Sequence, residues 1–143
     1  NTEKYQDLCD KIIERGQYAH WRQTYKGTAV SSHFLSHFGC YCLIGVSGPY
    51  NSNSMRAWIV YMPSKLYYPW HQHPAEELYF CLAGEATFKA DGKDDIILCE
   101  GGVSEHNSNQ PHAMQTDEKP VLAYVIWRNG FDVLPELTHD DAK

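Results

Sequence analysis

His71-Gln72-His73 is followed four residues later by Glu77, and Tyr79 comes two residues after that. No other stretch restricts the fold of this chain so strongly. Neutral imidazole and carboxylate are the common ligands of a borderline divalent metal, and to act together they must converge on one point. On an extended chain alternate side chains share a face, so a strand would let His71 and His73 converge. Pro74 kinks the path, after which Glu77, Tyr79 and Cys81 share a face again. The stretch predicts a metal site with a phenol beside it, carried inside a β-barrel.

The surrounding pattern agrees with strands. Ala57 to Met62 is rich in β-branched and aromatic residues and ends at Pro63. Glu76–Leu82 and Glu85–Ala90 flank Ala83-Gly84, which reads as a hairpin turn. Asp91-Gly92 begins a further turn, Ile96 to Leu98 forms a short apolar strand, and Gly101-Gly102 breaks the chain. His112 to Thr116 and Val121 to Arg128 supply the last strands. Many short strands at regular spacing mean a sandwich or small barrel.

The first fifty residues differ in texture. Tyr5, Leu8, Ile12 and Ile13 recur at helical spacing among charged residues, with Gly16 as a stop. Phe34, Leu35 and Phe38 favour a second helix, while Cys40 to Val46 suits helix or strand equally. The expectation is a single domain over residues 1–143, with 1–50 as a helical extension packed outside, 51–130 as the barrel and 131–143 as a polar tail. Within that tail Phe131, Val133 and Leu134 are expected to dock locally.

With 143 residues, one sizeable core is the natural count. A formal charge of −6 leaves no electrostatic footprint for nucleic acid or an anionic membrane. No apolar run reaches the length of a membrane span, and no secretory signal opens the chain at Asn1. Five cysteines, an odd number without a Cys-x-x-Cys pair, read as reduced and mostly buried thiols in a cytoplasmic setting. Cys40 and Cys42 read as two thiols on one face of a buried segment rather than as metal ligands.

Of eight histidines, His71, His73 and His112 lie in the strand-rich half where they can converge. Three imidazoles and Glu77 would hold a catalytic metal and leave room for water or substrate. His106 reads as a loop histidine, and Glu76, of opposite parity to Glu77, as a surface residue.

His71-x-His73-x3-Glu77-x6-Gly84, followed by Gly101 and Pro111-His112, resembles the two motifs of the cupins. Lys65, Asn107, Asn109 and Thr116 depart from that pattern, where the family usually has Gly, Pro, Gly and Asn. The resemblance narrows further. Tyr67-Tyr68-Pro69-Trp70 leading into His71–Tyr79, then Leu82–Ala86, Gln110–Met114 and Ala123–Arg128, is similar to the cupin-type dimethylsulfoniopropionate (DMSP) lyases over roughly residues 57–130.

That resemblance implies an all-β cupin core, a small double-stranded β-helix or jelly-roll barrel with N-terminal helices outside. It implies one divalent transition metal (Zn, Fe, Mn, Co or Ni) on His71, His73, Glu77 and His112. It also implies a tyrosine base at Tyr79, with Tyr68 as second candidate. The substrate would be a small zwitterion whose sulfonium is best held by aromatic faces. Trp127, Trp70, Tyr68 and Tyr124 are the candidates, and because parity puts Trp127 and Tyr124 on opposite faces, Trp127 is preferred. The expected reaction is β-elimination to dimethyl sulfide and acrylate by a carbon–sulfur lyase, with a homodimer as a possible assembly. Cupins host many chemistries, so an iron dioxygenase acting on a small thiol or carboxylate, or a non-catalytic binding module, are the competing expectations.

Overall fold

Residues 76–90 form one strand, not the hairpin suggested by Ala83-Gly84. In the computed structural model, which describes residues 4–138, this strand (β4, Glu76–Ala90) is the spine of the molecule. The end of the expected tail, His139 included, lies outside the described residues. Within β4 the register shifts between Cys81 and Ala83. Gly84 follows with φ of 77°, the left-handed region that a side chain disfavours. A bulge with a positive-φ glycine bends a strand without ending it. That bend lets the first half of β4 pair in one part of the sheet and the second half in another.

Two strands flank the first half, β6 (Val103–His106) and β8 (Val121–Arg128). The second half pairs with β5 (Ile96–Cys99) and β7 (His112–Gln115). The hydrogen-bonded path runs β1-β2-β8-β4-β7-β3-β9. Its remaining members are β1 (Gly39–Ile44), β2 (Arg56–Met62), β3 (Tyr67–Gln72) and β9 (Glu136–Leu137). The segment from Cys40, open between helix and strand in the sequence, is therefore mainly strand β1. Every strand pairing along this path is antiparallel.

Alternation decides what faces inward. In β8, Val121, Ala123, Val125 and Trp127 are buried, while Leu122, Tyr124 and Ile126 are only partly covered. In β4, Glu77, Tyr79 and Cys81 point in and Glu76, Leu78 and Phe80 point out. The inward residues of β2, β4, β7 and β8 make one core with Phe88, Met114 and Leu66. At roughly 25 cal/mol per Å² of apolar surface, such burial is the main stabilising term.

Two helices lie against this sheet. α1 (Gln6–Gly16) forms where the helical spacing predicted it, but only Cys9 and Gly16 of it are buried. Leu8 and Ile13 stay exposed, so the expected apolar face is not packed. α2 (Ser32–His37) is capped by the Ser31 hydroxyl, which accepts from the Phe34 amide at 3.1 Å. Phe34 is buried and stacks on Phe38, and both rings pack against Tyr68. Phe131 packs on the core, whereas Val133 and Leu134 are exposed.

None of the five cysteines is joined in a disulfide, and of the five Cys99 alone is exposed. No described helix is long and apolar enough to cross a membrane.

The departures from the cupin glycines have a structural outcome. Lys65 (φ 60°) and Asn109 (φ 55°) adopt the left-handed conformation that glycine would take with less strain. The Asn109 amide donates to the His73 carbonyl at 2.8 Å. That bond ties the loop before His112 to the end of the His71–His73 stretch.

Candidate active site

Register brings the ligand candidates together. His71 on β3 is the cross-strand partner of His112 on β7. Glu77 on β4 is flanked by His106 of β6 on one side and Trp127 of β8 on the other. Residues directly opposite in a ladder share a face, so all of these side chains point into the same interior. His71, His73, Glu77, His106 and His112 are each at most 5% exposed.

The ring nitrogens are committed in a consistent way. Nδ1 of His71 donates to the Pro69 carbonyl at 2.8 Å, Nδ1 of His73 to Ala75 at 3.0 Å and Nδ1 of His112 to Gln110 at 2.8 Å. A carbonyl can only accept, so these bonds place a proton on Nδ1, and in the neutral imidazole it is Nε2 that carries the free lone pair. Nε2 of His73 and of His112 are buried without a hydrogen-bond partner among the described residues. They nevertheless lie 3.3 Å and 3.0 Å from the carboxylate oxygens of Glu77. Lone pairs facing a carboxylate repel unless a cation stands between them.

His71, His73 and His112 each bring one ligand atom, all within 4.8 Å of one another. Glu77, His106 and His112 form a second group by the same measure. The two groups share His112, and Glu77 approaches both His73 and His112. Nitrogen and carboxylate donors with oriented Nδ1 partners fit a divalent transition metal.

The electrostatics point the same way. Burial, and then the neighbouring His112, hold His71 well below the usual imidazole value. His106 is also lowered, chiefly by burial. Burial alone would raise Glu77, but the neighbouring His112 and the hydrogen bond from His106 hold its carboxyl well below the usual range. An ionised Glu77 beside His71 and His106, both lowered toward the neutral form, suits metal binding, which takes a carboxylate and neutral imidazole.

His106 is not the loop histidine that the sequence suggested. It ends β6, and its Nδ1 donates to Glu77 Oε2 at 2.7 Å. Its Nε2 lies 3.1 Å from the Ser104 hydroxyl. Trp127 completes the clamp, its indole N–H donating to Glu77 Oε1 at 2.6 Å. The alternation of Ser104 and His106 after Gly102 is the sequence signal that could have placed His106 on a strand.

Against this cluster lies a cavity of about 340 Å³ lined by Phe38, Cys40, Trp58, Tyr68, Glu77, Tyr79 and Trp127 among others. The histidines pack behind that wall, His71 stacked on Tyr68 at 4.1 Å and His73 against Trp127 at 4.2 Å.

Over residues 1–123 the chain matches the family model described as dimethylsulfoniopropionate lyase. The DMSP lyase DddQ of Ruegeria pomeroyi is 45% identical to it over 142 residues, which is 99% of this chain and 71% of that protein. The chain belongs to the DMSP lyase family.

The crystal structure of that DddQ superposes with a TM-score of 0.95, covering 100% of this chain and 73% of the other. A chain from the crystal structures of the DMSP lyases RdDddP and RnDddQII, 34% identical, gives 0.91 over 96% of this chain and 71% of that one. A cupin-like protein of Thermotoga maritima, 18% identical, gives 0.62 over 76% of this chain and 82% of that chain, a likeness of fold alone. DMSP lyases are carbon–sulfur lyases, and this member has the all-β cupin core its motifs implied.

Within this DMSP lyase fold the remaining candidates separate. Tyr79 and Tyr68 both line the cavity. The Tyr68 hydroxyl is hydrogen-bonded to that of Tyr25 at 2.9 Å, a partner the sequence did not reveal. The Tyr79 hydroxyl has no hydrogen-bond partner among the described residues. Burial first, and for Tyr79 then Glu77, push both phenols well above their ordinary value. Trp127 does face the cavity, although its polar atom serves Glu77. Tyr124 lies on the outer face of β8, as parity requires, and Trp70 is only partly buried; neither reaches the cavity wall.

Proposed function

We propose that this protein cleaves DMSP to dimethyl sulfide and acrylate by β-elimination, with Tyr79 as the general base. The observation that supports this reading is the unpartnered Tyr79 hydroxyl, carried on the same inward face as Glu77 at the wall of an aromatic cavity. Tyr68, tethered to Tyr25, is the weaker candidate.

His71, His73, Glu77 and His112 would hold the divalent metal, with His106 and Trp127 fixing the orientation of the Glu77 carboxylate. When bound, that metal would act as a Lewis acid on the substrate carboxylate, acidify the adjacent C–H and offset the charge of Glu77 that keeps Tyr79 protonated.

Tyr79 would act as the phenolate, its own proton released to solvent beforehand, and take the α-proton onto its phenolic oxygen. The electron pair forms the Cα–Cβ double bond, and the Cβ–S pair leaves on sulfur as neutral dimethyl sulfide. The sulfonium has no proton to donate, so it is held by aromatic faces; Phe38, Tyr68 and Trp127 supply these in the cavity.

The direct test is incubation of purified protein with DMSP under anaerobic conditions, followed by headspace measurement of dimethyl sulfide with and without a chelator. Chelator-sensitive release is expected without oxygen. Absence of the gas would remove this reading.

A further inference from the structure

Two arginines line the cavity, and they differ in what holds them. Arg56 is fully engaged, donating to the Ser52 carbonyl at 2.7 Å, to the Met55 carbonyl at 3.0 Å and to Asp132 at 2.9 Å. Its guanidinium also lies over the Phe131 ring. Arg22 shares the ring contact but, among the described residues, has none of the side-chain hydrogen bonds or the ion pair. Its backbone is pinned, the amide donating to the Cys40 carbonyl at 2.8 Å beside the Trp21–Tyr41 bridge. Its guanidinium lies over the Trp58 ring, 4.7 Å from the centroid. Among the described residues no carboxylate or carbonyl pairs with that guanidinium.

Trp58 repeats the pattern. It lines the same cavity, and its indole N–H is buried without a hydrogen-bond partner. A buried donor without a partner is costly, and an incoming acceptor would relieve that cost. A guanidinium presents a planar fork of N–H donors that matches a carboxylate two-to-two. One wall of the cavity therefore carries a guanidinium and, on the ring beneath it, a buried indole N–H, both lacking an acceptor among the described residues. The Cys40 thiol, pushed up to about 12 chiefly by burial, feels both Arg22 and Glu77, so the cation and the buried carboxylate act on one wall.

We propose that Arg22 and Trp58 form an outer carboxylate-binding station in the cavity, which receives small monocarboxylates separately from the histidine cluster. The identity of these carboxylates rests on the lyase reading: DMSP as it enters, and acrylate as it leaves. The guanidinium already covers the Trp58 face, so the sulfonium is left to Phe38, Tyr68 and Trp127. The two ends of the zwitterion are thereby sorted to different parts of the wall.

The test uses Arg22→Gln and Arg22→Lys in the full chain, each checked for an unchanged melting temperature. Acrylate and propionate binding are measured by titration calorimetry, and DMSP turnover by dimethyl sulfide release. In Arg22→Gln, acrylate should bind about tenfold more weakly and the KM for DMSP should rise by about as much, while kcat changes less than twofold. Arg22→Lys, which keeps the charge but loses the planar fork, should fall between. Unchanged acrylate affinity and KM in Arg22→Gln would overturn the proposal, as would a loss confined to kcat. Calorimetry needs no turnover. Protein that releases no dimethyl sulfide yet loses acrylate binding in Arg22→Gln would sink the lyase reading and leave the carboxylate station standing.

Discussion

His106 donates from Nδ1 to Oε2 of Glu77 at 2.7 Å, and the pair is the cross-strand partnership of β6 with β4. The carboxylate is thus held from one neighbouring strand by His106 and from the other by Trp127. A carboxylate oriented from both sides would not have to be ordered on binding a metal. Partners of this kind typically contribute 10- to 100-fold in metal affinity. His106→Ala should therefore weaken zinc binding by about that factor, as measured by competition with a chromophoric chelator. Trp127→Phe, which keeps the ring against His73 and removes only the N–H, should show a smaller loss of the same kind. Wild-type zinc affinity in both variants would show that Glu77 needs neither partner.

Tyr79 and Tyr68 are separable by removing one oxygen from each. Tyr79→Phe preserves the packing against Phe88 and deletes the hydroxyl proposed to take the proton. Loss of a positioned general base typically costs 10²- to 10⁴-fold in rate. Its kcat should fall by about that much, with metal content unchanged by elemental analysis. Tyr68→Phe breaks the bond to Tyr25 but keeps the ring on His71, so its loss should be much smaller. The reverse order would move the base to Tyr68.

Removing the metal should make the protein sensitive to mild acid. In the metal-free site, burial and then His112 hold His71 well below 6.5, so the folded state resists protonation there. An unfolded chain takes up that proton below about pH 6.5. The unfolded state then binds more protons, and stability falls as pH falls. The contribution is fully present above about pH 6.5 and declines below it toward the lowered folded value. Glu77, held below its usual range, adds a further loss at more acidic pH. The melting temperature of chelator-treated protein should drop steadily from pH 7 to pH 5, and by less once zinc is restored. A flat profile would mean that these groups are not buried in the metal-free state.

The shared inward face of His71 with His73, and of Glu77 with Tyr79, was legible because strand periodicity is local: residues two apart share a face whatever lies across the sheet. The same rule assigned Trp127 inward and Tyr124 outward. His106 was not legible in this way, because its role comes from the register of β6 against β4 and not from its own neighbours. The hydrogen bond from Trp127 to Glu77 and the tether from Tyr25 to Tyr68 are likewise products of long-range packing. β9 pairs two residues with the edge of β3, too short a segment to leave a periodic trace. α1 shows the opposite failure, since its helical spacing was real but most of its apolar side chains remain outside the core.

Gly84 is where local chemistry pointed two ways, because a positive-φ glycine serves both a hairpin turn and a bulge. Here it bends β4 while the strand continues, and its α-carbon faces the backbone of Pro120. A Cβ at this position would collide with the Pro120 carbonyl oxygen, a backbone atom that cannot swing aside as a side chain would. The left-handed conformation itself costs a non-glycine residue about 1–2 kcal/mol. Adding the collision, Gly84→Ala should destabilise the fold by more than about 2 kcal/mol, read as the shift in urea midpoint at constant slope. Because β4 carries Glu77 and Tyr79 on the near side of the bend and pairs with the strand of His112 on the far side, the damage should not stop at stability. Zinc affinity should fall along with the midpoint. A variant with wild-type stability and metal affinity would show that the bend can be made without the glycine.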